Sequence, residues 1–264
     1  MNGIFKSFFK PLNRFVLFTE YIGGLTNLAL QTISLAFIPP LKMQRVIRQC
    51  KNIGVDSLPI VTLVAFFTGV VLALQTAYQM QKFSAEIYIA SIVAVSLVRE
   101  LGPVLTSLIV AGRNGAAITA EVGTMTVTEQ VDALSTLATN PVKYLVVPRF
   151  LALIIMLPLL TVYSDFIGIL GGHIICTTKL AIPSNLYFRI TFDALALKDI
   201  FTGLLKTFFF GMAIAVIGCY EGFKVEGGAE GVGRSTTKSV VVTFVTIIAA
   251  DCFFAALFYF ILGT

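Results

Sequence analysis

Tryptophan is absent from this chain, histidine occurs once, and only 12% of the 264 residues carry charge. The lone His173 sits in a glycine-rich apolar run (IGILGGHIIC), and no HExxH, G-x-S-x-G or paired acidic metal motif occurs, so no metal or cofactor is expected. Cys50, Cys176, Cys219 and Cys252 stand singly without CxxC spacing and read as small buried hydrophobes. The net charge is +5, yet the basic residues are dispersed and no basic helix with interleaved aromatics appears; nucleic acid is therefore not an expected partner. A cleavable signal peptide is not evident, since MNGIFKSFFKPLNRF lacks a small-residue cleavage site.

Apolar residues, by contrast, make up 57% of the chain, with a mean hydropathy of +0.90. An all-α integral membrane protein follows from that excess. Crossing a ~30 Å hydrocarbon core takes ~20 helical residues, and five such stretches occur. They lie near residues 58–80, 87–112, 144–176, 200–220 and 239–262. The third is long and holds Pro148 and Pro158, which predicts a tilted or kinked helix. Tyr78, Tyr88, Tyr144 and Tyr220 fall near span ends, where amphipathic rings favour the interface. Residues 5–38 are less apolar, interrupted by Glu20, Gly23, Gly24 and Asn27, and basic on both flanks. A helix lying in the interface is preferred there over a sixth crossing. The chain then divides into residues 1–54, an interfacial helix with a basic connector, and residues 55–264, a five-helix domain. Basic residues set the orientation. Lys6, Lys10, Arg14, Lys42, Arg45, Arg48 and Lys51 gather before the first span, whereas Lys82, Lys179, Arg189 and Lys198 alone fall on the other side. The N-terminus is expected inside and the C-terminus outside.

Charges within spans are costly, roughly 2.5–3.5 kcal/mol each on insertion scales. Arg99 and Glu100 stand side by side in the second span, Lys206 lies in the fourth and Asp251 in the fifth. Adjacent residues point about 100° apart on a helix, so Arg99 and Glu100 need partners from other helices. Two acids and two bases allow a closed network, either lining a polar route or fixing helix packing. Asp165 is a further in-span acid without an obvious partner, and Gly168 with Gly172 forms a weak GxxxG signal for close packing.

The segment GAEGVGRS (228–235) has Walker A spacing with Arg234 in the lysine position. A P-loop needs a preceding buried strand and a soluble nucleotide fold, and here it lies between two spans. It is read as a flexible connector, and the chain is not expected to bind ATP itself. Residues 113–143 are more informative. Thr128 and Glu129 can open a short helix, Val131, Leu134 and Leu137 recur at helical spacing, and Asn140-Pro141 stops it. Such a helix would offer a knob to a soluble partner.

The runs LVRELGPVLTSLIVAGRNGAAITAEVGTMTVTEQVDAL, NPVKYLVVPRFLALIIMLPLLTVYSDFIGILGG, GVGRSTTKSVV and IIAADCFFAALF resemble the MlaE (YrbE) permease family of ABC-type intermembrane lipid transporters. The resemblance covers roughly residue 59 to the C-terminus. It implies a permease dimer, each chain with an N-terminal interfacial helix and five transmembrane helices. Its implied partners are two cytoplasmic ATPase subunits, an outer-side MCE-domain lipid-binding protein, a small cytoplasmic accessory subunit and a phospholipid substrate. It makes Glu121, Glu129, Asp132, Leu134 and Leu137 the ATPase coupling region, and sets Arg99, Glu100, Lys206 and Asp251 beside the lipid cavity. Asp165 matches no family position. The implied location is a bacterial inner membrane, with a plastid inner envelope as the alternative. Two readings from other classes compete: a proton-coupled secondary transporter using Glu100 and Asp251, and a structural scaffold for lipid-transfer proteins. Five spans do not divide into inverted repeats, which disfavours the first.

Overall fold

The computed structural model describes the backbone of residues 2–40, 42–83 and 85–262, with side chains described between residues 19 and 260. The side chains of Lys6, Lys10 and Arg14 lie outside that set. The described residues form helices and no strands: α1 Asn2–Ala36, α2 Met43–Ile53, α3 Leu58–Gln81, α4 Ile89–Ser96, α5 Gly102–Val110, α6 Ala116–Val127, α7 Gln130–Thr136, α8 Val147–Thr178, α9 Ser184–Ala194, α10 Leu197–Phe223 and α11 Gly228–Leu262. In hydrocarbon a helix is the one open-chain form that satisfies every backbone N–H and C=O internally. Five helical segments are long and apolar enough to cross: Met43–Gln81, Glu86–Val127, Val142–Thr178, Leu197–Phe223 and Gly228–Phe260.

The second span is longer than its apolar core suggests. Helices α4, α5 and α6 join into one rod through two π-helical turns, Leu97–Leu101 and Ala111–Gly115. Residues 113–127 are therefore not loop. They continue the rod and bury Ile118, Thr119, Val122 and Gly123 against α10 and α11. The connector 228–235 is likewise the first two turns of α11, not a flexible strand of chain. Small and hydroxylated residues make both stretches look loop-like in sequence, yet these are the residues that let helices approach closely inside a bundle.

Close approach also fastens α3 to α8. A Cβ on Gly69 would overlap the Gly168 carbonyl, so only glycine permits that crossing. One core gathers Phe150, Leu153, Leu157, Phe210, Ile214 and Ile247. A second, towards α9, joins Ala73, Ile89, Val93, Cys176 and Tyr187. Cys252 departs from expectation, being exposed on α11 while Cys176 and Cys219 are buried.

Helix α1 runs unbroken through Gly23 and Gly24 and is not among the five candidate spans. It packs on α10, α8 and the turn before α8. Tyr220 is buried there rather than exposed in an interfacial belt, its ring 5.3 Å from that of Tyr21 and close over Gly24. The Tyr21 hydroxyl donates to Glu221 Oε1 at 2.5 Å, and Lys238 reaches the same oxygen at 3.0 Å. Burial, with Glu221 beside it, raises the Tyr21 hydroxyl far above its usual pKa.

Candidate functional site

Pro103 sets the local geometry. It has no N–H to give the Arg99 carbonyl four residues earlier, and the preceding turn widens to a π turn in which Gly102 N–H bonds Leu97 O. That turn carries both Arg99 and Glu100. Gly203 brings α10 against it, since a Cβ there would overlap the Val98 carbonyl.

One turn after Gly203 stands Lys206, its side chain only 1% exposed. Its ammonium donates to Glu100 Oε2 and lies 3.5 Å from the carbonyl of Arg99. Asp251 Oδ1 approaches from α11 at 2.9 Å, as an ion pair set off the hydrogen-bonding direction. Three helices thus converge on one cation. Glu100 is 38% exposed and Asp251 22%, so the carboxylates form the open side of a cluster whose cation is enclosed. The Arg99 guanidinium takes no ion pair among the described residues and is partly exposed. An apolar groove of about 430 Å³, lined by Leu63, Phe67, Val71, Leu72, Gln75 and Leu101, meets the same π turn at Leu101. Asp165 lies apart, buried on α8 over Gly102, its Oδ1 without a hydrogen bond among the described residues.

The other end of the rod leads to the loop. Helix α7 spans seven residues and packs chiefly on α6. Glu129 precedes it in the left-handed region (φ 59°), and Ala138 follows it at φ 54°. Asn140 Oδ1 then accepts the Val142 N–H at 2.9 Å, which opens the third span. Glu129 and Asp132 face solvent, Leu134 is half-buried, and Leu137 is 75% exposed. Glu121 lies on α6, well before this knob, and pairs with Arg149 of α8 at 2.7 Å.

Sequence alone did not reveal the Glu121–Arg149 and Glu221–Lys238 pairs, nor the Ser57 hydroxyl that accepts from Arg113 and Asn114 at 2.8 Å each. Their one visible signal is an acid or a small hydroxyl at the edge of an apolar run, which singles out no partner.

A polytopic helical bundle with an enclosed cation, an apolar groove that meets the same turn and a protruding loop helix has the build of a membrane permease. Residues 46–257 match the family described as Permease MlaE, and the chain belongs to that family. It is similar to a "Probable ABC transporter permease protein" of Rickettsia felis, 45% identical over 246 residues that cover 93% of this chain and 95% of that one. Similar proteins of the same description occur in Synechocystis, 41% identical over 81% of both chains, and in Porphyra purpurea, 38% identical over 89% of this chain and 86% of its own. The chain is a multi-pass ABC transporter permease.

Proposed function

We propose that this permease is the membrane subunit of an ATP-driven phospholipid transporter. It works as a dimer with two separate cytoplasmic ATPase subunits and an outer-side MCE-domain lipid-binding protein, in a bacterial inner membrane with the N-terminus inside. A small cytoplasmic accessory subunit would complete the assembly. The observation that carries the reading is that a single π turn bears both features: Arg99 and Glu100 belong to the same turn as Leu101, which lines the apolar groove. A lipid needs that combination, an apolar wall for acyl chains and a cation for the phosphate.

Arg99 supplies the cation in this scheme, because Lys206 is already held by two carboxylates. The rod from α4 to α6 connects the cluster to α7, so an ATPase pressing on Leu137 would move the turn that holds Glu100. Its two π turns are where such a rod yields, since they interrupt the regular hydrogen-bond ladder. ATP is hydrolysed by the partner: the amides a P-loop would offer to phosphate lie in this chain within a helix from Gly228 onward.

The test is transfer of a fluorescent phospholipid between vesicles by the full assembly. ATP-dependent transfer that stops when the ATPase partner is inactivated is expected. Transfer driven by a proton gradient without ATP would favour the secondary-transporter reading. Transfer unchanged with a dead ATPase would favour a scaffold.

A further inference from the structure

A second cluster of cations lies away from the ion cluster in the bundle, in a cavity of about 420 Å³ between the start of α2 and the segment 138–148. Lys42, Arg45 and Lys143 line it, and no acidic side chain does. None of the three takes part in an ion pair among the described residues. Arg45 lies 3.4 Å from the centre of the Tyr144 ring and Lys42 5.5 Å from it, so the aromatic face gathers both cations. Lys143 is anchored from the other side, its Nζ 3.3 Å from the carbonyl of Pro39. The Asn140 Oδ1 is occupied by the Val142 N–H, which leaves its Nδ2 to donate.

Three like charges around one hollow repel one another and lower their energy by taking an anion. The cavity's position also argues for the anion's source. The helical segments Met43–Gln81 and Val142–Thr178, each long and apolar enough to cross a membrane, both begin at its wall, so it lies where two spans emerge on one side of the bundle. Val46, Val147 and Pro148 continue the lining with apolar surface where a glycerol backbone and the first methylenes would lie.

We infer that this cavity binds the phosphate-bearing headgroup of an anionic phospholipid. The lipid is resident, not the transported molecule, and it ties the hinge between α1 and α2 to residues 138–140 at the foot of the loop. The inference does not depend on what the permease carries.

The absence of tryptophan makes a direct measurement available: in Tyr144→Trp the only indole stands in the cavity and retains an aromatic face for the cations. The full-length variant is reconstituted in phosphatidylcholine nanodiscs and quenched with brominated phosphatidylglycerol or brominated phosphatidylcholine. Apparent affinity for the anionic lipid should be about five- to tenfold higher, a scale set by juxtamembrane cations. Lys42→Gln with Lys143→Gln should abolish the preference, whereas Arg48→Gln, outside the cavity, should keep it. Native mass spectrometry of the wild-type chain and the double Gln variant reads the same preference without the tryptophan. Equal quenching by the two lipids, or equal retention by wild type and double variant, overturns the inference. Displacement of the brominated anionic lipid by millimolar inorganic phosphate overturns the lipid assignment in favour of a soluble anion.

Discussion

The backbone carbonyl of Arg99 lies 3.5 Å from the ammonium of Lys206, on a helix more than a hundred residues away in sequence. Pro103 leaves that carbonyl without its helical donor, and a buried cation from α10 takes up part of the vacancy. The same cation holds Glu100 and Asp251, so backbone irregularity and charge pairing are one arrangement.

Lys206→Ala should therefore be far costlier than its volume implies. It leaves two partly exposed carboxylates close together without their cation, and a loss of about 1–3 kcal/mol is expected, read from unfolding in mixed micelles. Lys206→Ala combined with Asp251→Ala should recover a coupling energy of roughly 0.5–3 kcal/mol. Stability recovered without lipid transfer assigns the cluster a transport role, and strictly additive effects would show that the two are not energetic partners.

Pro103→Ala restores an N–H to the rod and lets the π turn relax toward regular α-helix. Thermal stability should hold or rise, while ATP-driven transfer falls several-fold because Glu100 turns away from Lys206. Full transfer with unchanged stability would mean that the irregular turn is incidental.

At the loop, Leu137→Asp should leave insertion and stability intact, since the side chain is largely exposed. Affinity for the ATPase subunit should drop about tenfold or more, as for loss of an apolar anchor in an interface. Leu134→Pro puts a proline inside a seven-residue helix, and should uncouple ATPase stimulation in a correctly inserted protein. Pull-down and ATPase assays check both; normal stimulation by either variant removes α7 from the coupling path.

The isolated chain should purify as a homodimer and show no ATP affinity at micromolar concentration, checked by equilibrium dialysis. Its Walker-like residues are helical from Gly228, with Gly227 and Gly228 turning the chain at φ 85° and 70°.

The five spans were legible because each is an apolar run of membrane length, and the in-span charges were legible because they are rare. Sequence periodicity could not show the π turns. The one at 97–101 depends on Pro103 together with a cation delivered by another helix. Residues 113–127 were misread as loop for a related reason: AAITAEVGTMTV is poor in large apolar residues, and its helix is held by close packing and by Thr119, whose hydroxyl lies 3.0 Å from Gly218 O and 2.8 Å from Ser239 Oγ. Such partners lie 99 and 120 residues away and leave no local trace. Glu121 was assigned to the coupling region by the family resemblance, which carries no sign that it pairs with Arg149 of α8.

The bond from Tyr21 to Glu221 links residues 200 positions apart. During synthesis the first helix to leave the ribosome can rest on α8 and the turn before it, but its hydrogen-bonded clasp waits for α10, and Lys238 of the last span must follow before that clasp is complete. Assembly of the permease ends with its beginning. A chain arrested before residue 221 would leave α1 resting on α8 and the turn before it, without the bond that clasps it to α10.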